Sequence, residues 1–376
     1  MLIGAALLAS AAPAPAHDPS AWGGLFRSRD DGASWLPADA GLFVGAALAL
    51  AVSPADANHL LYATDTRLLR SRNGGRDWDT QAPDLFNGPT LAVTFAADGR
   101  GAWAATPAGV FVAGADFQWR KSDVSEAAIP ARGLLAAPVS GRVYLRGARG
   151  LFASMDGGRS FSRIGPAQHA GAVVGALLAL GAETQALVAL FDGRPWFSAD
   201  AGLTWATRDV GLPPEPVQVL AGDAEQPPRL WAASGQQVHL SDDFGVTWRA
   251  WGAPIGPGLS VQGIAIARSG EVIVLSTHKG LLRSADAGRS WAQVEGALPV
   301  HLEAGPLQRD PHDAQTLYAG FALVPYAELR RRAEQGSNLL SRLDPVSLAG
   351  AAAFLVLLLI GGSWAARGLA RAHRNA

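Results

Sequence analysis

Ser28-Arg29-Asp30-Asp31-Gly32-Ala33-Ser34-Trp35 returns three times almost unchanged: as Ser198-Ala199-Asp200-Ala201-Gly202-Leu203-Thr204-Trp205, as Ser241-Asp242-Asp243-Phe244-Gly245-Val246-Thr247-Trp248, and as Ser284-Ala285-Asp286-Ala287-Gly288-Arg289-Ser290-Trp291. Two copies are altered. Ser71-Arg72-Asn73-Gly74-Gly75-Arg76-Asp77-Trp78 has Asn for the second-turn Asp, and Ser154-Met155-Asp156-Gly157-Gly158-Arg159-Ser160-Phe161 ends in Phe. A seventh is decayed: Gly109-Val110-Phe111 leads to Trp119 one residue early, with Ala113 in place of Ser and no Gly at the turn. The acidic position falls at 30, 73, about 116, 156, 200, 243 and 286. A period of about 43 residues is the length of one four-stranded propeller blade.

Each copy follows a short apolar strand such as Gly24-Leu25-Phe26 or Gly280-Leu281-Leu282, and further upstream lies another, such as Leu60-Leu61-Tyr62-Ala63 or Val272-Ile273-Val274-Leu275. Apolar runs bounded by Gly, Asp and Pro are strand signals. The motif then reads as a tight hairpin between a blade's third and fourth strands. The Asp carboxylate accepts turn N–H groups, the Gly takes a positive φ, the Ser/Thr hydroxyl ties the two arms, and the Trp packs against the neighbouring blade. Asp30, Asn73, Asp156, Asp200, Asp243 and Asp286, with Trp35, Trp78, Trp205, Trp248 and Trp291, are thus structural turn residues. A catalytic group is needed once, a turn in every blade. Replacing Asp200, Asp243 or Asp286 by Ala is expected to lower stability, and substitution at the decayed third turn to be neutral.

The first motif copy comes too early to have its own first two strands. After the last copy, Asp310-Pro311 leads to Leu317-Tyr318-Ala319, matching Ser53-Pro54 and Leu60-Leu61-Tyr62-Ala63. The expected fold is therefore all-β: a seven-bladed β-propeller whose N- and C-terminal strands share one blade, with no open edge at the seam. A single transmembrane α-helix follows it.

The chain ends carry the rest of the organisation. Leu2–Ala12 is apolar and Ala14-Pro15-Ala16 matches an A-x-A cleavage site, so residues 1–16 read as a secretory signal peptide, although no Lys or Arg precedes the apolar stretch. Residues 23–321 form the propeller and 322–345 a juxtamembrane linker, with a short amphipathic helix over Tyr326–Leu340 expected along the headgroups. Residues 346–366 (Val346–Ala366) carry no charge. At about 1.5 Å per residue they span roughly 30 Å, the thickness of a bilayer core. The basic tail, 367–376, carries Arg367, Arg371 and Arg374. The signal peptide sets the orientation: a single-pass protein of the bacterial inner membrane, propeller periplasmic and C-terminus cytoplasmic.

Composition excludes several chemistries. There is no Cys, which removes disulfides, zinc–thiolate sites and Cys nucleophiles. The formal net charge of −1 excludes a nucleic-acid surface set by bulk charge. The eight His are scattered, so no metal site is read, and no Gly-rich phosphate loop or other cofactor motif occurs. One stretch is locally basic: Arg132, Arg142, Arg146 and Arg149 are the candidate residues for an acidic partner or anionic headgroups.

The repeat resembles that of Asp-box (BNR) propellers over about residues 23–321. With seven units, a motif in nearly every one and a P-x(5–6)-L-Y-A strand, it most resembles the photosystem II stability/assembly factor family. The resemblance implies a non-catalytic assembly factor for a membrane protein complex; the added C-terminal helix departs from that family's usual pattern. Asp-boxes also occur in sialidases and other glycosidases. The F/Y-R-I-P stretch of sialidases is missing, and Tyr62, Tyr144 and Tyr318 sit in a core register. A glycosidase needs only two carboxylates in one cleft; Asp65, Asp98, Glu126, Glu183, Asp192, Glu215, Asp223 and Glu271 are available. The expected function is a non-enzymatic, membrane-anchored scaffold whose partners are subunits of a membrane complex. The alternative is a glycan-active or glycan-binding propeller, for which Trp22, Trp103, Trp196 and Trp251 are the tryptophans free to be exposed.

Overall fold

The computed structural model describes residues 23–335 except 40, 138–140, 181–184, 224–228 and 300. The segment 1–16 expected to be a signal peptide, the apolar segment 346–366 and the tail 367–376 lie outside the described residues. Among the described residues no helix is long and apolar enough to cross a membrane.

Seven four-stranded antiparallel sheets are the blades. Their innermost strands are Glu303–Arg309 (blade 1), Ala47–Ser53 (2), Ala92–Phe95 (3), Gly133–Ala136 (4), Val174–Leu180 (5), Val217–Gly222 (6) and Val261–Ala267 (7). Each packs beside the next, and the last returns to the first, so the ring is closed around a central channel. Second strands such as Leu230–Ser234 and Leu317–Ala322 are buried at every residue, because blades cover them on both faces. Fourth strands such as Leu36–Pro37 and Asp79–Thr80 are two exposed residues long, which keeps the outer edges short.

Closure occurs in blade 1. Gly24–Ser28 pairs with Leu317–Ala322 in the register Gly24↔Phe321 to Ser28↔Leu317. The seam to blade 7 is reinforced by charge. Arg268 Nε meets Asp31 Oδ2 at 2.7 Å, and Arg283 Nε donates to the Asp31 carbonyl at 2.9 Å. Tyr62, Tyr144 and Tyr318 lie in the core at 0%, 2% and 3% exposure.

The repeated turns run deeper than their sequence suggests. In blade 5 the Asp200 carboxylate accepts the Thr204 N–H at 2.8 Å and its hydroxyl at 2.6 Å. These bonds hold its pKa down at about 2. The buried leading serine has an equal share: Ser198 Oγ accepts the Gly202 N–H at 2.8 Å and donates to Asp200. In blade 2 the polarity is reversed, with Asn73 Nδ2 donating to Asp77 at 2.7 Å. Ser241→Ala should cost about 1–2 kcal/mol, because it strands the buried Gly245 N–H that Ser241 Oγ accepts at 2.7 Å. Urea unfolding measures it; an unchanged midpoint would show that water replaces the hydroxyl.

The fifth-position glycine has φ near 80–90° in all six complete turns, as expected. The fourth position is left-handed too: Asp31 (φ 56°), Ala201 (60°), Phe244 (57°) and Ala287 (61°), with Gly74 and Gly157 in the other two. A side chain there carries steric strain of about 1 kcal/mol. Ala287→Gly should therefore stabilise the chain by about 0.5–1 kcal/mol, read as a raised denaturant midpoint.

The indole N–H groups have two destinations. Trp78, Trp248 and Trp291 donate to Ala38, Arg208 and Ala253 of the preceding blade. Trp35 and Trp205 donate to the glycine carbonyl of their own turn. Where blade 4 has Phe161, Trp103 of the preceding blade supplies an indole to Gly157 at 3.0 Å.

After the last strand the chain forms a helix, Tyr326–Glu334. The helix expected along the headgroups is anchored to the propeller by its first residue. Tyr326 is 4% exposed and its hydroxyl donates to the Ala47 carbonyl at 2.7 Å. Its ring fills the space over Gly305, where a Cβ would lie 2.1 Å from it.

Candidate partner-binding face at the channel mouth

All seven inner strands begin at the same end of the propeller, so that end of the channel is a mouth lined by their first residues. The connections between second and third strands open at this end too. Both lysines of the chain lie here. Lys121 ends the outer strand Trp119–Lys121, Lys279 sits in the turn between Val272–Thr277 and Gly280–Ser284, and both are exposed.

Bulges shape the mouth. Five inner strands slip register within their first few residues: between Ala47 and Ala49, Val174 and Leu177, Val217 and Val219, Val261 and Gly263, and Ala304 and Leu307. A bulge releases a residue from the ladder and re-aims it. The released Gln218 accepts the Val261 N–H at 3.0 Å, and the released Gln262 donates to Glu303 Oε1 at 2.6 Å. Glu303 Oε2 accepts the Tyr326 N–H at 2.7 Å and caps the helix. Arg330, one turn on, reaches Gln262 at 3.4 Å.

The four candidate arginines do not form one patch. Arg132 immediately precedes the inner strand of blade 4, Arg146 lies near the end of Val143–Gly147, and Arg149 is exposed in the next turn; all three are at the mouth. Arg142 begins the same strand at the opposite end and bonds Gln185 at 3.1 Å. The strand's length separates it from the others. Arg146 is drawn inward. Its Nη1 donates to the Gly175 carbonyl of blade 5, and its Nη2 to the Arg132 carbonyl at 3.2 Å. Burial first, then the charges of Arg330 and Arg132, lower its pKa to about 10. Arg330 also reaches the mouth, where it bonds Gln262, and sequence reasoning missed it because only the fold brings residue 330 to residue 262.

The candidate catalytic carboxylates are dispersed. Asp98, Asp223 and Glu271 lie at the end opposite the mouth; Asp65, Glu126, Asp192 and Glu215 lie at the mouth end, in separate connections. Asp192 pairs with His169 at 3.0 Å and Asp223 with Arg229 at 3.5 Å; Glu183 lies outside the described residues. Two clefts do hold carboxylate pairs. One, of about 480 Å³, is lined by Lys121, Ser122, Asp123 and Glu126. The other, of about 240 Å³, is lined by Arg27, Arg29, Arg76, Asp310 and Asp313. Asp313 is tied into its turn by Thr316 and Gln315, which lowers its pKa, the wrong direction for a general acid. No Trp lines either cleft. The tryptophans expected to be free are in the core or half-buried: Trp103 is 6% and Trp196 8% exposed, and Trp251 meets Trp231 edge to face at 5.4 Å. Trp22 lies outside the described residues. No group of three or more metal-ligating side chains occurs among the described residues.

No protein-family model and no curated protein matches this chain. Solved structures match its fold. YCF48 bound to a D1 peptide aligns at 16% identity over 74% of this chain and 92% of its own, with a TM-score of 0.57. YCF48 from Cyanidioschyzon merolae aligns at 13% identity over 75% and 97%, with a TM-score of 0.54. The GH74 xyloglucanase from Xanthomonas campestris aligns at 19% identity over 72% of this chain but 51% of its own, with a TM-score of 0.54. At these identities the likeness shows the propeller fold. Neighbours of that fold include both a YCF48 bound to a peptide and a xyloglucanase.

Proposed function

We propose that this chain is a non-catalytic propeller scaffold, an assembly or interaction factor for a membrane protein complex. In this reading it is exported, held at the periplasmic face of the inner membrane by residues 346–366, and built on Asp-box turns. The observation that carries it is the mouth itself: a closed ring presents a bulge-shaped surface with Arg132, Arg146 and Arg149 at the end where the helix docks through Tyr326. A YCF48 structure holding a peptide supports protein recognition by such a ring in general. An acidic partner surface is the complement of Arg132, Arg146 and Arg149.

The test is affinity purification of the tagged full chain from mild-detergent membranes, with amine crosslinking and mass spectrometry. Within the propeller the only lysines are Lys121 and Lys279, both at the mouth, so crosslinks from the propeller report on that end. A stoichiometric membrane subunit crosslinked there is the expected result. A partnerless chain overturns the reading. It would move the alternative, a glycan-active or glycan-binding propeller, to the Asp123–Glu126 cleft, where hydrolase substrates and glycan arrays would test it.

A further inference from the structure

The cleft of about 480 Å³ lies where blade 3 passes the chain to blade 4. One wall is the turn at Ala108, another the strand end Lys121-Ser122-Asp123. The third is the short helical turn Glu126–Ala128, with Val124 and Ile129 on either side. The backbone of these walls is tied down on both sides. The Ser122 N–H donates to the Val110 carbonyl at 2.9 Å. Asp123 is clamped to blade 4: its N–H donates to the Arg159 carbonyl at 2.7 Å, and its carbonyl accepts the Phe161 N–H at 3.2 Å. The Arg149 N–H donates to the Ala127 carbonyl at 3.2 Å and holds the helical turn. Gly109 leaves room for the Lys121 stem, since a Cβ there would lie 2.9 Å from Lys121 Cε.

The polar ends of the side chains are the reverse. Ser122 is 5% exposed, and its hydroxyl has no hydrogen-bond partner among the described residues. Among those residues Lys121, Asp123 and Glu126 form no ion pair within 4 Å, neither with one another nor with Arg149 and Arg159 in the adjoining turns of blade 4. A buried hydroxyl without a partner costs stability, and native folds retain few. Here a fixed backbone brings it into one cleft with three unpaired charges, which is how a site awaiting a ligand is built.

The lining selects the ligand. A plain anion would face two carboxylates, and a plain cation would face Lys121. An α-ammonium group with an oxygen beside it suits both. An ammonium carries three N–H donors, and the cleft offers three acceptors, the carboxylates of Asp123 and Glu126 and the Ser122 hydroxyl. Lys121 donates to the neighbouring oxygen. Ala108, Val124 and Ile129 form the apolar wall, which suits an apolar side chain on the same α-carbon. The volume lies within the range of small-molecule sites.

We propose that this cleft binds the α-ammonium group of an apolar amino acid, free or at the N-terminus of a peptide chain. Asp123, Glu126 and Ser122 hold the ammonium, and Lys121 holds the carboxylate or first carbonyl. The site does not rest on the scaffold reading: it takes a small ligand whether or not the chain has a membrane-complex partner.

The test is calorimetric titration of the full-length chain in neutral detergent with leucine, leucinamide, N-acetyl-leucine and glucose, with thermal unfolding followed in parallel. The expected result is saturable one-to-one binding of leucine, leucinamide or both, weakened about tenfold or more by Asp123→Asn and by Glu126→Gln. N-acetyl-leucine, which lacks the ammonium, should bind at least about tenfold more weakly. Lys279→Gln, the other mouth lysine, should change affinity less than about twofold. Binding of leucine alone, lost in Lys121→Gln, supports the site with a free amino acid as its ligand. Equal binding of leucinamide supports it with a chain N-terminus. If Asp123→Asn does not fold, Glu126→Gln decides, since Glu126 is exposed. The proposal is overturned if neither leucine nor leucinamide binds saturably, if N-acetyl-leucine binds as well as they do, if glucose binds in their place, or if Glu126→Gln leaves binding unchanged.

Discussion

Phe117→Ala should destabilise the chain by about 3–5 kcal/mol, the range for deleting a buried phenylalanine ring. This contradicts the neutrality expected from the decayed third motif. The turn lost its Ser and Gly, and Phe117 took over the site. It is 7% exposed and sits at φ 55°, in the left-handed region where the other blades place their fourth turn residue. Its ring lies 3.4 Å beneath the Arg70 guanidinium. Arg70 Nε donates to His59 Nε2 at 2.7 Å, and the His59 ring lies 5.1 Å from Phe117. Arg70 makes no ion pair within 4 Å among the described residues, so the aromatic face, with the more distant charge of its cross-strand neighbour Asp79, offsets its buried charge. Burial lowers Arg70 to about 10 and His59 to about 4, which marks both as desolvated. Alanine keeps the backbone strain and removes the ring, so the loss measures packing and cation–π together. Denaturant unfolding of Phe117→Ala beside Gln118→Ala, expected within about 0.5 kcal/mol of wild type, tests this. A loss below 1 kcal/mol for Phe117→Ala would mean that the third turn is dispensable after all.

Asp39→Asn should change how stability responds to acid. Asp39 is buried where the chain passes from blade 1 to blade 2, and one oxygen, Oδ2, accepts both the Leu25 N–H at 2.9 Å and the Tyr62 hydroxyl at 3.0 Å. Burial outweighs these bonds and raises its pKa from 3.8 to about 6. A carboxyl raised in this way contributes stability that is fully present below pH 4 and lost as pH rises through 6. The whole shift corresponds to about 3 kcal/mol. His59 and His239, lowered chiefly by burial, act in the opposite sense: they favour the fold above pH 6.5 and weaken it as pH falls. Between pH 4 and 6.5 the Asp39 contribution and the histidine contributions therefore oppose each other. An Asn oxygen accepts the same two bonds but does not ionise. The variant should be more stable than wild type at pH 7.5, by up to about 3 kcal/mol, and should lose that advantage by pH 4. Parallel pH profiles for the two proteins would place Asp39 in water.

The architecture was legible because it repeats. A motif returning every 43 or so residues counts the blades, and two half-units at the ends of the repeat specify the shared blade that Gly24–Ser28 and Leu317–Ala322 form. The candidate face was only half legible. Three of the four candidate arginines reach the mouth; Arg142 does not, because a strand carries residues four apart to different ends. Tryptophans outside the motif looked free for a ligand, yet Trp103 donates to the neighbouring blade's turn and Trp196 is buried.

By itself, then, the sequence determined what is local and periodic: the turn, the blade length, the blade number and the closure. Hydrogen bonds within eight residues and alternating apolar runs carry that information in contiguous stretches. Only the tertiary structure decided the left-handed fourth position, the bulges, the ring beneath Arg70, and the contact of Arg330 with Gln262. Each depends on which strand end faces which neighbour across the ring. That is set by packing between segments far apart in the chain, and no short stretch of residues records it.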